Sequence, residues 1–202
     1  MRVFYHLDPD GCCAAAIAAR YYQGDGKYIS WRHEMTFPYE EISEGERVVI
    51  LDMNLPAERD RLWTRTSDLV WVDHHISAIE KNGFWADEKN IPGIREVGEA
   101  ACVLSWRHFF PGQALPAIVA LIGDQDIWRF EFGDDTRALH YGLDLVDISP
   151  TSAFWEQHLV PGGGIDQLES ILAPGRAIHA YESKRRSRMV REYAYETELA
   201  GH

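Results

Sequence analysis

Cysteine is scarce in this chain. There are three, Cys12, Cys13 and Cys102, and two of them are adjacent. That is a poor disulfide framework and fits a reducing cytoplasm, the expected location. No apolar run approaches the roughly 20 residues that a membrane-spanning helix needs. Met1-Arg2-Val3-Phe4 leads directly into a strand pattern, without the look of a secretory leader. Basic charge is also short: 20 Lys and Arg face 32 Asp and Glu, for a net charge of −12. Binding to long duplex nucleic acid depends on many Lys/Arg–phosphate contacts, so this balance argues against long duplex DNA as a partner. A small phosphorylated ligand stays compatible, because bound cations would neutralise part of the excess. What is present is an ordinary soluble composition, 46% hydrophobic and 26% charged, with seven Trp. Its 202 residues suffice for one good core.

Three apolar runs end abruptly in acids or imidazoles. Val3–Tyr5 leads into His6-Leu7-Asp8-Pro9-Asp10-Gly11, Val48–Leu51 into Asp52, and Leu69–Val72 into Asp73-His74-His75. Buried ionisable groups need partners or a metal. The pattern predicts three neighbouring strand ends meeting at one metal centre, with Asp73-His74-His75 in the middle.

Strands are expected at Arg2–Tyr5, at 27–33, at 47–51 and at 68–72. Helices are expected at 11–22 and 57–66, the second opened by Pro56. This alternation indicates an α/β fold, a mainly parallel sheet with helices on both faces. Ligands of such sheets bind beyond the carboxyl ends of the strands, where all these acids and imidazoles lie. Phe37–Glu46 reads as loop. A connector after Gly83 leads to a short strand near 94–97. Helices are then expected at 98–110, 115–122 and 136–143, followed by a break at Pro161-Gly162-Gly163-Gly164. A short helix at 166–172 and a long charged one at 177–199 complete the reading. The expected organisation is a catalytic domain over residues 1–150 and a helical C-terminal extension over 151–202.

In His6-x-Asp8-x-Asp10-Gly11, alternate residues of an extended segment point the same way, so three ligands can aim at one region. The plainer reading is an Asx-rich turn capping the helix that follows. Asp52 alone could be a helix cap. In Asp73-His74-His75 one imidazole can bind metal while a carboxylate orients a ring. Asp124 or Asp126, in Gly123-Asp124-Gln125-Asp126-Ile127-Trp128, could add a carboxylate. So many carboxylates in one place would resist ionising together. Divalent cations resolve that. An oxygen-rich set with imidazole and no Cys favours Mn²⁺, with Mg²⁺ as the alternative. The number of ligands suits two ions about 3.5–4 Å apart, bridged by a carboxylate and activating a hydroxide. Asp52 is the choice for the bridge.

Taken in order, these motifs resemble the DHH phosphoesterase superfamily, over roughly His6 through Trp128. The resemblance implies two Mn²⁺ ions and hydrolysis of phosphoester or phosphoanhydride bonds. It implies His6 and Asp8 on one ion, Asp10 and His74 on the other, Asp52 between them and His75 on the scissile phosphate, with Asp73 orienting an imidazole. The fourth motif aligns on either Asp124 or Asp126. The short first motif and Asp126-Ile127-Trp128 look most like the branch acting on short oligoribonucleotides. Two departures stand out. His6 lies two residues before Asp8, where many members have four. The second, smaller substrate-gripping domain of many members (DHHA1) has no evident counterpart, since Gly162-Gly163-Gly164 is followed by Ile165 rather than His. The chain is either cut before that domain or works without it.

The expected activity is therefore a Mn-dependent phosphoesterase or nuclease acting on small nucleotides or short single-stranded oligonucleotides. The alternatives are a non-catalytic metal-dependent nucleotide-binding or regulatory domain, or a pyrophosphatase-like phosphoanhydride hydrolase. A cysteine phosphatase would need a Cys separated from an Arg by five residues, and six lie between Cys13 and Arg20. Arg129 is a candidate substrate contact and Arg107 a weaker one, and Trp128 or Trp85 could stack a base. Lys184-Arg185-Arg186-Ser187-Arg188 reads as a solvated helix face. A homodimer is compatible with the chain, and no membrane partner is expected.

Overall fold

The computed structural model describes residues 1–32 and 35–195. Four strands form one parallel sheet: β1 (Arg2–Tyr5), β2 (Lys27–Ser30), β3 (Val48–Leu51) and β4 (Leu69–Val72), in the order β2-β1-β3-β4. The register sets Arg2 beside Lys27 and Val48, and Val48 beside Leu69. The carboxyl ends of β1, β3 and β4 are therefore level. β3, not β4, stands in the middle, so Asp52 rather than the Asp-His-His run is central. His33, the last residue of the expected second strand, lies outside the described residues.

β3 and β4 are buried along their whole length, as expected for parallel strands covered on both faces. Alternation divides their side chains between two cores. Val3, Tyr5, Val49, Leu51, Val70 and Val72 face one; Phe4, Val48, Ile50, Leu69 and Trp71 face the other. Helix α1 (Pro9–Tyr21) lies in the first core, and its Ala14–Ala18 run is fully buried. Alanine combines helix propensity with a small profile that lets the backbone approach the sheet. Around it pack α4 (Ala101–Phe109), α5 (Ala117–Asp126) and α6 (Asp134–Leu143). The second core is covered by α2 (Arg59–Arg65), α3 (Ile76–Glu88) and the side chains of Trp31, Phe37, Tyr39 and Ile42, with a 3₁₀ turn at Tyr39–Glu41.

Several expectations are corrected. α3 runs through Gly83 where a connector was expected. Glycine costs a helix about 1 kcal/mol, but Ala78, Asn82 and Ala86 form a buried face at helical spacing and hold α3 against the second core. The expected strand at 94–97 is a single bridge between Asp73 and Arg95. α5 continues to Asp126, so Asp124 and Asp126 lie in its last turn rather than after it. A helix not foreseen, α7 (Ala153–His158), places Trp155 in the first core.

The C-terminal helices at 166–172 and 177–199 are replaced by one helix, α8 (Glu169–Tyr193), entered through a 3₁₀ turn at Ile165–Leu168. Residues 196–199 of the expected helix lie outside the described residues. Pro174 sits within α8. Packing against α6 outweighs the lost backbone hydrogen bond: a Cβ on Gly175 would overlap the Ala138 carbonyl, and one on Gly142 would overlap that of Ile171. The two helices are thus in backbone contact. Ile171 and Leu172 belong to the same core as α1 and the sheet.

Candidate metal centre

Beyond the carboxyl ends of β1, β3 and β4, three groups of His and Asp side chains could each hold a cation: His6, Asp8 and Asp52; Asp52, His74 and His75; and Asp10, His74 and Asp126. Asp52 belongs to two of the three, and so does His74. Asp52 is 2% exposed. Both its carboxylate oxygens are buried without a hydrogen-bond partner among the described residues. Its backbone is left-handed, with φ 56°. An Asp tolerates that region better than most residues, yet at some cost. The turn aims the carboxylate back across the strand ends. Its Oδ1 lies 3.3 Å from His74 Nε2 and 4.0 Å from His75 Nδ1, and its Oδ2 lies 3.7 Å from His6 Nδ1.

The first motif serves the fold and the cluster together. Asp8 caps α1, its Oδ1 accepting from Gly11 N–H at 2.8 Å. Its Oδ2 stays on the site side, 2.7 Å from His6 Nδ1. The capping turn foreseen as the plainer reading is therefore present without removing Asp8 from the cluster. Gly11 is obligatory, because a Cβ there would overlap the His6 carbonyl. Asp10 is fully buried and accepts from Ala101 N–H at 2.9 Å and Cys102 N–H at 2.8 Å, the first turn of α4. Its Oδ2 lies 3.8 Å from His74 Nε2.

The two histidines of the third motif are held differently. His75 Nδ1 pairs with Asp73 Oδ1 at 2.8 Å, and that same oxygen accepts from the His74 and His75 backbone N–H groups. Asp73 is completely buried and fixes the His75 ring from behind. His74 Nε2 instead points into the carboxylates, 3.5 Å from Asp126 Oδ2. Asp124 and Asp126 separate clearly as well. Asp124 accepts from Glu131 N–H at 2.8 Å, from Phe132 N–H at 3.4 Å and from the Thr136 hydroxyl, bracing the turn from α5 into α6. Asp126 Oδ2 is buried and unpartnered among the described residues. Arg129 lies outside the three groups, donating to the Gly98 carbonyl at 2.6 Å and to Glu99 at 3.2 Å. Arg107 is also drawn to Glu99, at 3.7 Å.

The electrostatics are those of a crowded anionic site. Burial, then Asp52 and Asp126, push the Asp10 carboxyl well up. Burial and Asp52 push Asp126 up to about 6, against the pull of His74. The neighbouring Asp52 and Asp8 carboxylates raise His6 to about 10. His74 is raised too: burial lowers it, but Asp52, Asp10 and Asp126 together prevail. His75 is raised chiefly by Asp73. In each case the cluster favours positive charge. The unpartnered oxygens of Asp52 and Asp126, and the mixed oxygen and imidazole donor set, fit divalent cations. Cysteine chemistry has no footing here. The three thiols are buried, and burial pushes Cys12 up to about 12.

The fold and the cluster define a parallel α/β protein with a candidate metal centre of buried His and Asp side chains at its strand ends. A scan of the chain against protein-family models gives no match, and a search of curated proteins gives none either. No helix among the described residues is long and apolar enough to cross a membrane.

A cation that relieves this repulsion binds the folded chain alone, so Mn²⁺ is expected to raise the melting temperature and EDTA to reverse the gain. At a hundredfold excess over Kd the stabilisation is about 2.7 kcal/mol, which for a chain of this size is roughly 5–11 °C. The gain should shrink between pH 8 and pH 5, because protons compete for the same carboxylates and imidazoles. Thermal scans with and without Mn²⁺ across that range measure it. A Tm that ignores Mn²⁺ at every pH would remove the metal assignment.

Proposed function

We propose that the chain is a metal-dependent phosphohydrolase of the DHH phosphoesterase type. Its substrates would be small nucleotides or short single-stranded oligonucleotides, cleaved at phosphodiester or phosphomonoester bonds. The observation carrying this reading is Asp52, a buried carboxylate with both oxygens unpartnered among the described residues and shared between two of the three candidate ligand groups found there. A carboxylate so placed suits a bridge between two cations. His6 and Asp8 would complete one site, and Asp10, His74 and Asp126 the other. Mn²⁺, or Mg²⁺, would supply an activated water and polarise the phosphate.

The remaining chemistry belongs to the protein. His75, held at Nδ1 by Asp73, keeps Nε2 for a phosphate oxygen. A protonated ring there would donate to the charge that develops during in-line displacement. Asp73 acts through His75 as a positioning residue. Asp10 ties the centre to α4 through the Ala101 and Cys102 N–H groups, which keeps the carboxylates fixed when they bind. The fold brings these groups together on a rigid sheet rather than on long loops, a placement that favours accurate geometry.

Hydrolysis of bis-p-nitrophenyl phosphate and of short RNA, with Mn²⁺ and with EDTA, tests the reading. Mn²⁺-dependent release is expected. Metal binding without turnover on any substrate would favour a non-catalytic nucleotide-binding domain, and turnover of pyrophosphate alone a phosphoanhydride hydrolase. The two histidines give a finer test. His74→Ala should lose one equivalent of metal by elemental analysis, whereas His75→Ala should keep both and lose rate, by roughly 10²–10⁴-fold if its proton is used in the transition state. Equal metal content in the two variants would overturn this division.

A further inference from the structure

Beside the acidic cluster lies a patch of opposite sign. A cavity of about 180 Å³ is lined by Asp8, Asp10, Asp126 and Trp128. Gln125 and His140 also line it, and both line a second cavity of about 220 Å³. The polar groups facing that second space are Arg137 and His140 from α6, His179 and Arg186 from α8, and Tyr141. Two guanidinium groups and two imidazoles converge there in a chain whose net charge is −12.

Arg186 is braced rather than neutralised. Arg186 Nη2 donates to the Tyr141 hydroxyl at 3.0 Å, and no carboxylate pairs with Arg186 among the described residues. The Tyr141 ring stacks on His179, with centroids 5.6 Å apart and planes 20° apart. Arg137 lies over the Phe130 ring, 4.5 Å from its centroid, and donates to the Gly133 carbonyl at 3.3 Å. Its nearest acid is the exposed Asp134, at 3.8 Å. A guanidinium held by neutral partners keeps donors for a phosphate. The close α6–α8 contact through Gly142 and Gly175 sets the two sources of charge side by side.

Two aromatic residues edge these cavities in left-handed backbone. Trp128 and Phe130 both have φ 56°, a conformation that costs of order 1–3 kcal/mol for such residues. Trp128 is nevertheless 76% exposed, so core packing does not account for it. By contrast, Trp85 is engaged by Asp60 and Trp63.

We infer that the pocket between α6 and α8 is a second phosphate subsite, taking a terminal phosphate of a short oligonucleotide whose scissile phosphate lies at the metal centre. The intervening nucleoside stacks on Trp128. This rests on the hydrolase reading for the second phosphate, but the pocket itself can be tested apart from it. Inorganic phosphate is added to EDTA-treated protein, where the carboxylates repel anions, and the ring signals of His140 and His179 are followed by NMR. Saturable shifts are expected in the wild type and not in Arg137→Gln/Arg186→Gln, two positions exposed enough for the fold to survive. With Mn²⁺, kcat/KM for the dinucleotide pApA should exceed that for ApA by roughly tenfold or more, the worth of one or two charge-assisted hydrogen bonds. That ratio should fall to about one in the double variant. No saturable phosphate shift, or a ratio that survives the double substitution, would overturn the subsite. Phosphate binding in the pocket without cleavage of either dinucleotide would uphold the subsite and remove the hydrolase reading instead.

Discussion

Asp52→Asn will abolish Mn²⁺-dependent hydrolysis and, in the same molecule, remove most of the Mn²⁺-induced rise in melting temperature. Both losses follow from one fact. The Asp52 carboxylate is buried with both oxygens unpartnered among the described residues, and His74, His6 and His75 approach it while Asp10 and Asp126 feel its charge. Without metal the neighbouring imidazoles, raised by Asp52, offset the repulsion from Asp10 and Asp126, so the metal-free melting temperature of the variant should stay level or fall. An asparagine removes the charge and offers two N–H donors to the carboxylates around it. With metal the same carboxylate is the proposed bridge, so its loss affects both cations. A loss of about 4 kcal/mol of transition-state stabilisation corresponds to roughly 10³-fold in rate, and the loss here should be at least that. Asparagine is the informative substitution because the residue sits at φ 56°. Alanine would add about 1–2 kcal/mol of backbone strain and blur the stability result. Thermal scans with and without Mn²⁺, alongside turnover, read both effects. A variant with the wild-type Mn²⁺ shift and wild-type turnover would end the bridging assignment.

The location of the His and Asp cluster was legible in the sequence because parallel strands advertise themselves. Val48–Leu51 and Leu69–Val72 are unbroken apolar runs, and such runs are buried on both faces. Acids and imidazoles directly after them had to stand at the strand ends. The strand order was not legible, since it depends on crossovers, and this is why Asp73-His74-His75 was expected in the middle of the three strand ends, where Asp52 after β3 stands instead. Local propensity misled at Gly83 and Pro174, where burial of one helix face outweighs a poor helix former. The cationic pocket had no sequence signature. Arg137 and His140 stand one turn apart on α6, but His179 and Arg186 join them only through the glycine contact between α6 and α8. The run around Arg186 reads as a solvated helix face, and for Arg185 and Arg188, paired with Glu182 and Glu192, that is its structure.

Asp124 and Asp126 give the second large effect. They are two residues apart in one motif, and the sequence offers no means to choose between them. In the last turn of α5 a separation of two places them on different sides of the helix. Asp124 faces the α5–α6 turn and accepts from Glu131 N–H, Phe132 N–H and the fully buried Thr136 hydroxyl. Asp126 faces His74 and keeps Oδ2 unpartnered among the described residues. Asp124→Ala should therefore destabilise the protein by about 2–3 kcal/mol, the cost of stranding buried donors, or roughly 4–12 °C in Tm. What folds should still show the full Mn²⁺-induced shift. Asp126→Asn should do the reverse: a metal-free Tm equal to or above wild type, and a Mn²⁺ shift cut to a fraction of the wild-type value. The burial that lifts the Asp126 carboxyl to about 6 marks a charge the metal-free fold is better without. The comparison needs no knowledge of the substrate, since both readouts are thermal. If Asp124→Ala were to lose the Mn²⁺ shift and Asp126→Asn to keep it, the ligand from α5 would be Asp124, and the third group of donors around His74 would have to be redrawn.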